Sequence, residues 1–302
     1  MSTELAIACK DLCMKYGRHQ VLRGVDLGIP TGSIFALLGT NGAGKTTLIR
    51  TLLGLLPRGG GVSVLGEDPW VAGAALRQRI GYVSEEQGLY GWMSVAQLIE
   101  FCRGLYDRWN QDLVADYLRR FSLPPQKRIG TMSKGQKVRL ALILSLAPEP
   151  ELLILDEPMS GLDPLAQYQF LRIIQEVAVT RDRTIFFSTH NLTDVEAIAT
   201  HVAILDEGVI KITGTMAEVR ASVRRLQVPR AEGGSPPYPA ALLLDTDAAT
   251  ATYLIPNAPG MAESAAAGQA MRGKVDEATL ADVFLYFCAR GRDNADGFVS
   301  AS

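Results

Sequence analysis

The sequence is poor in cysteine, has no long apolar run and carries almost no net charge, and each lack closes off a class of protein. Its four cysteines, Cys9, Cys13, Cys102 and Cys288, form no C-x-x-C pair. Cys9 and Cys13 stand four apart with no histidine nearby, a spacing that fits packing thiols better than a metal site. No apolar stretch approaches the roughly 18–20 residues that a membrane-crossing helix needs. The opening MSTELAIACK lacks the charged start and apolar centre of a secretory leader. A soluble, cytoplasmic chain is therefore expected, with any membrane role supplied by a partner. A net charge of −2 argues against a nucleic-acid binder held by bulk electrostatics, and no nucleic-acid partner is expected. There is no block of like charge that would read as a tail, and no tandem duplication or heptad run.

What is present is a chain of 302 residues, 47% hydrophobic, which is enough for a large α/β domain with a buried core plus a smaller domain. LAIACKDLCMKYG and VLRGVDLGIP read as short strands joined by turns. SIFALLG (33–39) is a buried strand that feeds a glycine-rich loop, and KTTLIRTLLGLL (45–56) is a helix stopped by Pro57. VAQLIEFCRGLY (95–106) and DLVADYLRRF (112–121) have helical periodicity, so a helical subdomain is expected at about 90–135. ELLILDEP (151–158) and RTIFFSTH (183–190) are buried strands that lead into polar loops, and HVAILDEGVIKITGT (201–215) is an edge strand and hairpin. Strands alternating with helices imply a mostly parallel sheet with ligands at the carboxyl ends of its strands.

After about residue 220 the character changes. VPRAEGGSPPYPA (228–240) reads as a linker or irregular loop. AALLLD (240–245) and TATYLI (250–255) are candidate strands, and the stretch 256–274 is rich in Ala and Gly. Leu280, Val283, Phe284 and Phe287 form one face of a last helix. The expected division is a domain over 1–220 and a small α+β accessory domain over 221–302.

Three segments carry chemistry. Gly39, Thr40, Asn41, Gly42, Ala43, Gly44, Lys45 and Thr46 fit the P-loop pattern, with Thr47 following. Backbone N–H groups of such a loop turn inward around phosphate oxygens, Lys45 offers a charge to the outer phosphates, and Thr46 offers a hydroxyl to Mg²⁺. Asp156 and Glu157 end the apolar run LLIL, where carboxylates are costly to desolvate without partners. Asp156 can support the Mg²⁺ shell. Glu157, on the opposite side of an extended chain, can face a water poised for attack on a γ-phosphate. His190 closes a third buried strand and is a candidate γ-phosphate contact. A further helix start, MSKGQ (132–136), places Ser133 as an N-cap and Gly135 where backbone can approach a ligand, a second phosphate receptor far from the first.

Together these segments resemble the nucleotide-binding subunit of an ATP-binding-cassette (ABC) transporter of the bacterial exporter type. The motifs cover roughly residues 5–215 in the family's order: GTNGAGKT as Walker A, MSKGQ as signature, LLILDE as Walker B, SGLDP (160–164) as D-loop, His190 as switch. The resemblance implies an α/β P-loop ATPase core with an antiparallel β subdomain and a helical subdomain. It further implies an ATPase with ATP and Mg²⁺ as cofactors, and Glu157 and His190 as catalytic residues. Two such subunits, a homodimer or pseudo-dimer, would pack head to tail. Ser133, Lys134, Gly135 and Gln136 of one would then face ATP held by Lys45 of the other, with Asp163 orienting the opposite site. Tyr16 resembles the aromatic that stacks on adenine. A separate transmembrane permease would hold the subunit at the cytoplasmic face of the cell membrane, docking near Glu85 and the segment 93–121.

The pattern departs from the family's in three places, of which Met159, standing where Thr is common before SGLDP, carries no reading. Lys134 replaces the first glycine of the usual LSGGQ, and solvent or an interface rim is its expected setting. In GYVSEEQGLY (81–90), Glu85 aligns with the family's Q-loop glutamine and is the expected metal-side residue, with Gln87 as its rival; a glutamate offers oxygen but no amide donor. A soluble ABC ATPase of translation or DNA repair is the alternative. Such proteins usually carry two cassettes or long coiled-coil insertions.

Overall fold

The computed structural model describes residues 4–181, 183–229, 241–247, 249–257 and 273–289. The chain divides into two units, Met1–Ile210 and Lys211–Ser302.

The first unit opens with two strands much longer than their sequence suggests, β1 (Leu5–Tyr16) and β2 (His19–Pro30). Both hold alternating burial through several register shifts, which let one hydrophobic set face inward along the whole length. With β4 (Gly59–Val64) they make an antiparallel sheet of order β2-β1-β4.

The second sheet has β3 (Ile34–Leu38), β5 (Ile80–Val83), β6 (Leu152–Asp156), β7 (Thr184–Thr189), β8 (His201–Asp206) and β9 (Val209–Thr215), in the order β5-β6-β7-β3-β8-β9. The pairs β5/β6, β6/β7, β3/β7 and β3/β8 are parallel. β3, β6 and β7 are buried at every position, as apolar runs covered on both faces must be. The sheet order matters for the site: β6, β7 and β3 lie side by side, so the loops leaving their carboxyl ends open onto one place.

Helix α1 (Lys45–Leu52) packs its buried Leu48, Ile49 and Leu52 into a core shared with Phe35, Ile154 and Phe186 and with the antiparallel sheet. Truncating a ring as enclosed as Phe186 would cost about 3–5 kcal/mol. The helix is shorter than its apolar pattern, because the Leu53 N–H closes its last bond on the Ile49 carbonyl and Gly54, at a φ of 66°, turns the chain and donates to the Thr51 carbonyl. Helix α2 (Pro69–Arg77) precedes β5. The helical segment holds α3 (Val95–Arg103), α4 (Gln111–Arg120) and α5 (Lys134–Leu146), started by caps at Ser94, Asn110 and Ser133. Leu105 lies past the end of α3 and is 57% exposed. α6 (Pro164–Arg181) and α7 (Leu192–Ile198) follow β6 and β7. No helix among the described residues is long and apolar enough to cross a membrane.

The second unit holds α8 (Met216–Ala221), β10 (Val223–Pro229), β11 (Leu242–Thr246), β12 (Thr250–Pro256), β13 (Lys274–Glu277) and α9 (Leu280–Ala289). Its sheet, β11-β12-β10-β13, is antiparallel throughout. Leu226, Val228, Ala251, Tyr253 and Ile255 cluster on one face. On α9 the buried positions are Leu280, Asp282, Val283, Tyr286 and Cys288, so Tyr286 rather than Phe284 or Phe287 is turned inward. Asp282 explains the rotation: both its oxygens meet the Arg225 guanidinium, at 2.7 and 2.8 Å, and it caps Thr279. The expected loop over 228–240 lies outside the described residues from position 230 on, and the Ala/Gly-rich stretch lies outside them over 258–272.

Candidate active site

The P-loop runs from the end of β3 to the start of α1. Gly44 stands at the N-cap with a φ of 107°, a left-handed geometry that suits glycine, and no side chain caps the helix. The first N–H groups of α1 are thus free to meet an anion. They open onto a cavity of about 520 Å³ lined by Thr40, Asn41, Gly42, Gly44, Lys45, Thr46 and Thr47, together with Val21, Glu85, Glu157, Ser160 and His190. Gly39 and Ala43 lie behind this wall: the Gly39 carbonyl accepts from Lys45, and the Ala43 carbonyl accepts from the Gly208 N–H.

Lys45 is buried at 6% exposure. Its Nζ donates to the carbonyls of Gly39 at 2.7 Å and Thr40 at 3.2 Å, and stands 3.1 Å from Glu157 Oε1 as an ion pair without hydrogen-bond geometry. The other Glu157 oxygen is 2.9 Å from His190 Nδ1. Walker A lysine, strand-end glutamate and strand-end histidine, three elements from three loops, therefore form one chain of contacts, as the order β6-β7-β3 requires.

Glu157 does not continue an extended chain as expected. Its φ is +45°, a left-handed turn that costs a non-glycine residue on the order of 1–2 kcal/mol. The turn, rather than strand alternation, aims its carboxylate into the cavity. The Glu157 N–H donates to Ser188 Oγ at 3.0 Å, and the Ser188 hydroxyl donates to Asp156 Oδ1 at 2.6 Å. Asp156 is 1% exposed and sits beneath the cavity rather than on its wall. Its charge, adding to burial, helps push the Tyr82 phenol up to about 12. Burial, joined by the charge of Glu157, also raises the Asp194 carboxyl above its ordinary range. Ser188 and Val21 belong to no motif used above, and Ser160 opens SGLDP without a role assigned there. Ser188 left one legible trace, a small hydroxyl closing the apolar run TIFF two residues before His190.

Thr46, Glu85 and Asp156 are hard oxygen donors, the set that suits Mg²⁺. Among the described residues no group of three His, Cys, Asp or Glu could hold a metal alone. Glu85 and its rival are separated: Glu85 lines the cavity, whereas Gln87 turns back to donate to the Ser84 and Glu85 carbonyls. Tyr16 ends β1 at 46% exposure and is not part of the cavity wall.

Neither Ser133, Lys134, Gly135 nor Gln136 lines the cavity. Ser133 and Gln136 cap each other, Gln136 N donating to Ser133 Oγ at 3.3 Å and Ser133 N donating to Gln136 Oε1 at 3.1 Å, and Lys127 Nζ also donates to that amide oxygen. Asp163 accepts from the Ala166 N–H and so starts α6.

A family model described as "ABC transporter" matches residues 22–160. An uncharacterized ABC transporter ATP-binding protein of Nostoc sp. is 36% identical over 208 residues, covering 67% of this chain and 62% of its own length. The bacitracin transport ATP-binding protein BcrA of Bacillus licheniformis is 35% identical, covering 67% of each chain. Among solved structures, one described as the ATP-binding subunit of an ABC transporter superposes with a TM-score of 0.66 at 30% identity, over 72% of this chain and 92% of the other.

Proposed function

Given that the chain belongs to the ATP-binding-cassette family of transporter ATP-binding proteins, we propose that it is the ATP-hydrolysing subunit of an exporter. It would power a separate membrane-spanning permease from the cytoplasmic face of the membrane. The observation that carries this reading is the convergence of Lys45, Glu157 and His190 on one cavity walled by free helix N–H groups. We assign the ATP-binding role to residues 1–220 and an accessory role to 221–302.

Phosphates entering the P-loop meet the uncapped start of α1 and draw Lys45 from Glu157. Released from that pair but held by His190, Glu157 can accept a proton from a water beside the γ-phosphate. Thr46, Asp156 and Glu85 would hold Mg²⁺, which supplies charge neutralisation at the β- and γ-phosphate oxygens. Ser188 keeps Asp156 and the Glu157 backbone in register with each other. The start of α5 takes no part in its own cavity, which supports the reading that it meets ATP on a second subunit, head to tail.

A second cavity of about 350 Å³, lined by Leu53, Tyr82, Gln87, Leu89, Cys102 and Tyr106 among others, lies between the Glu85 loop and the helical segment. Beside it Tyr90, Trp92 and Phe101 are exposed, with the Tyr90 ring against those of both Trp92 and Phe101. Exposed aromatics of this kind mark a docking surface, and we place the permease there. Export follows the resemblance to subunits for drugs, antibiotics, polysaccharides or ions; BcrA is named for transport of one antibiotic. Co-purification with a membrane-spanning protein encoded beside this one, with ATP turnover changed by Trp92→Ala only in the complex, is the expected result. Equal effects on the free and complexed subunit would contradict the docking assignment.

A further inference from the structure

The lysine that departs from the family's signature is exposed, as expected, but its stem is laid against the loop that follows β6 rather than standing free. Its Cδ and Cε stand 3.6 and 3.7 Å, and its Nζ 3.0 Å, from the point where a side chain on Gly161 would begin. Gly161 has a φ of +70° and no side chain, so its backbone is open to the lysine stem. The next residue repeats the contact: the Cβ position of Gly135 is 3.6 Å from Leu162 Cδ2 and 3.8 Å from Ala166 Cβ. Two successive residues of MSKGQ thus lie on two successive residues of SGLDP in one subunit.

Helix electrostatics do not account for the lysine. It occupies the first turn of α5 and reaches the loop ahead of α6, where both helix dipoles disfavour a cation. Asp163, the acid in that loop, is engaged with the Ala166 N–H. Packing of the methylene stem over bare backbone does account for it. The loop in turn reaches the cavity, since Ser160 lines it and donates its N–H to the Glu157 carbonyl at 3.1 Å.

We infer that Lys134 is a positioning residue that fastens the start of α5 to the 160–163 loop of its own subunit. A movement of the signature helix then carries the loop beside Glu157 with it. The link to turnover rests on the reading that MSKGQ serves a second subunit's ATP; the fastening itself does not.

The test uses the full chain and the variants Lys134→Gly, Lys134→Met and Lys134→Arg. In the free subunit, Lys134→Gly should speed amide hydrogen exchange at residues 161–163 by roughly tenfold. Lys134→Met and Lys134→Arg, which keep the stem, should hold the wild-type rate. In the complete transporter Lys134→Gly should lower kcat roughly three- to tenfold and flatten the dependence on ATP concentration, with ATP affinity of the free subunit unchanged. Unchanged exchange in Lys134→Gly, or Lys134→Met exchanging like Lys134→Gly, would overturn the fastening. Faster exchange with normal kcat would overturn its role in turnover. Failure of the second-subunit reading would show separately, as a Ser133→Arg variant that turns over ATP normally.

Discussion

Two helices of this subunit begin in a way that could receive phosphate, and they begin differently. α1 starts at Gly44 with no side-chain cap and opens onto the cavity between three strand ends. α5 starts at Ser133 inside a closed capping box, with Gln136 further tied to Lys127, and stands off that cavity. An uncapped start leaves its N–H groups unsatisfied until an anion arrives. A self-capped start is content in the lone subunit, and its ligand has to compete for the Ser133 hydroxyl. On the proposed reading, the contrast separates a phosphate cradle that a subunit supplies to its own ATP from a surface that it would supply to another's.

The largest effect that sharpens the contrast belongs to the cradle at α1. Glu157→Gln should keep ATP binding and reduce turnover on the order of 10²–10⁴ fold, as loss of a general base does; hydrolysis assays beside equilibrium ATP binding check it, and normal rates would remove Glu157 from the chemistry. Ser133→Arg should reduce turnover on the order of 10²–10³ fold while the isolated subunit binds ATP as before. Weakened binding in the isolated subunit would instead put α5 with its own cavity and erase the difference between the two helices. Ser188→Ala should cost about 1–2 kcal/mol of stability, because buried Asp156 loses its donor, and lower turnover about tenfold through the metal side; denaturant unfolding and kcat report the two.

The smallest effect lies outside both helices and tests whether the second unit is a bystander. Burial raises the Asp282 carboxyl, but the Arg225 fork and the Thr279 bonds outweigh it and hold the carboxyl below its usual range. A depressed folded pKa means stability that is full above the unfolded value, about 4, and lost as pH falls through the folded one. Melting of the second unit should therefore drop below about pH 4. Arg225→Met should remove about 2 kcal/mol at neutral pH, less than a fully enclosed pair because the guanidinium is partly solvated. ATP binding should be unchanged in that variant.

The sequence made much of this legible where chemistry and spacing coincide. The P-loop, LLILDE, SGLDP and His190 are local patterns, and the neighbouring order of β6, β7 and β3 turns them into one cavity. The alternation of strands and helices announced the parallel sheet. What stayed hidden depends on contacts between distant segments. Ser188 is one small hydroxyl in an apolar strand, yet it joins Asp156 to the Glu157 backbone. The left-handed turn at Glu157 has no composition signal, since glutamate seldom adopts it. Lys134 is exposed, as expected, but the contact of its stem with Gly161 was not legible because the two lie 27 positions apart. The length of β1 and β2 was missed because their register shifts break a strict alternation. On α9, the buried pair with Arg225 sets the rotation that apolar spacing alone mistook.

The central claim is that the start of α5 completes an ATP site on another subunit. A structure of the Glu157→Gln protein with ATP and Mg²⁺ trapped measures this most directly. The account predicts the Ser133 hydroxyl of one subunit within hydrogen-bonding distance of a γ-phosphate whose β-phosphate is cradled by the other subunit's P-loop. A trapped ATP contacted by one subunit alone, with Ser133 still capping Gln136, would contradict it.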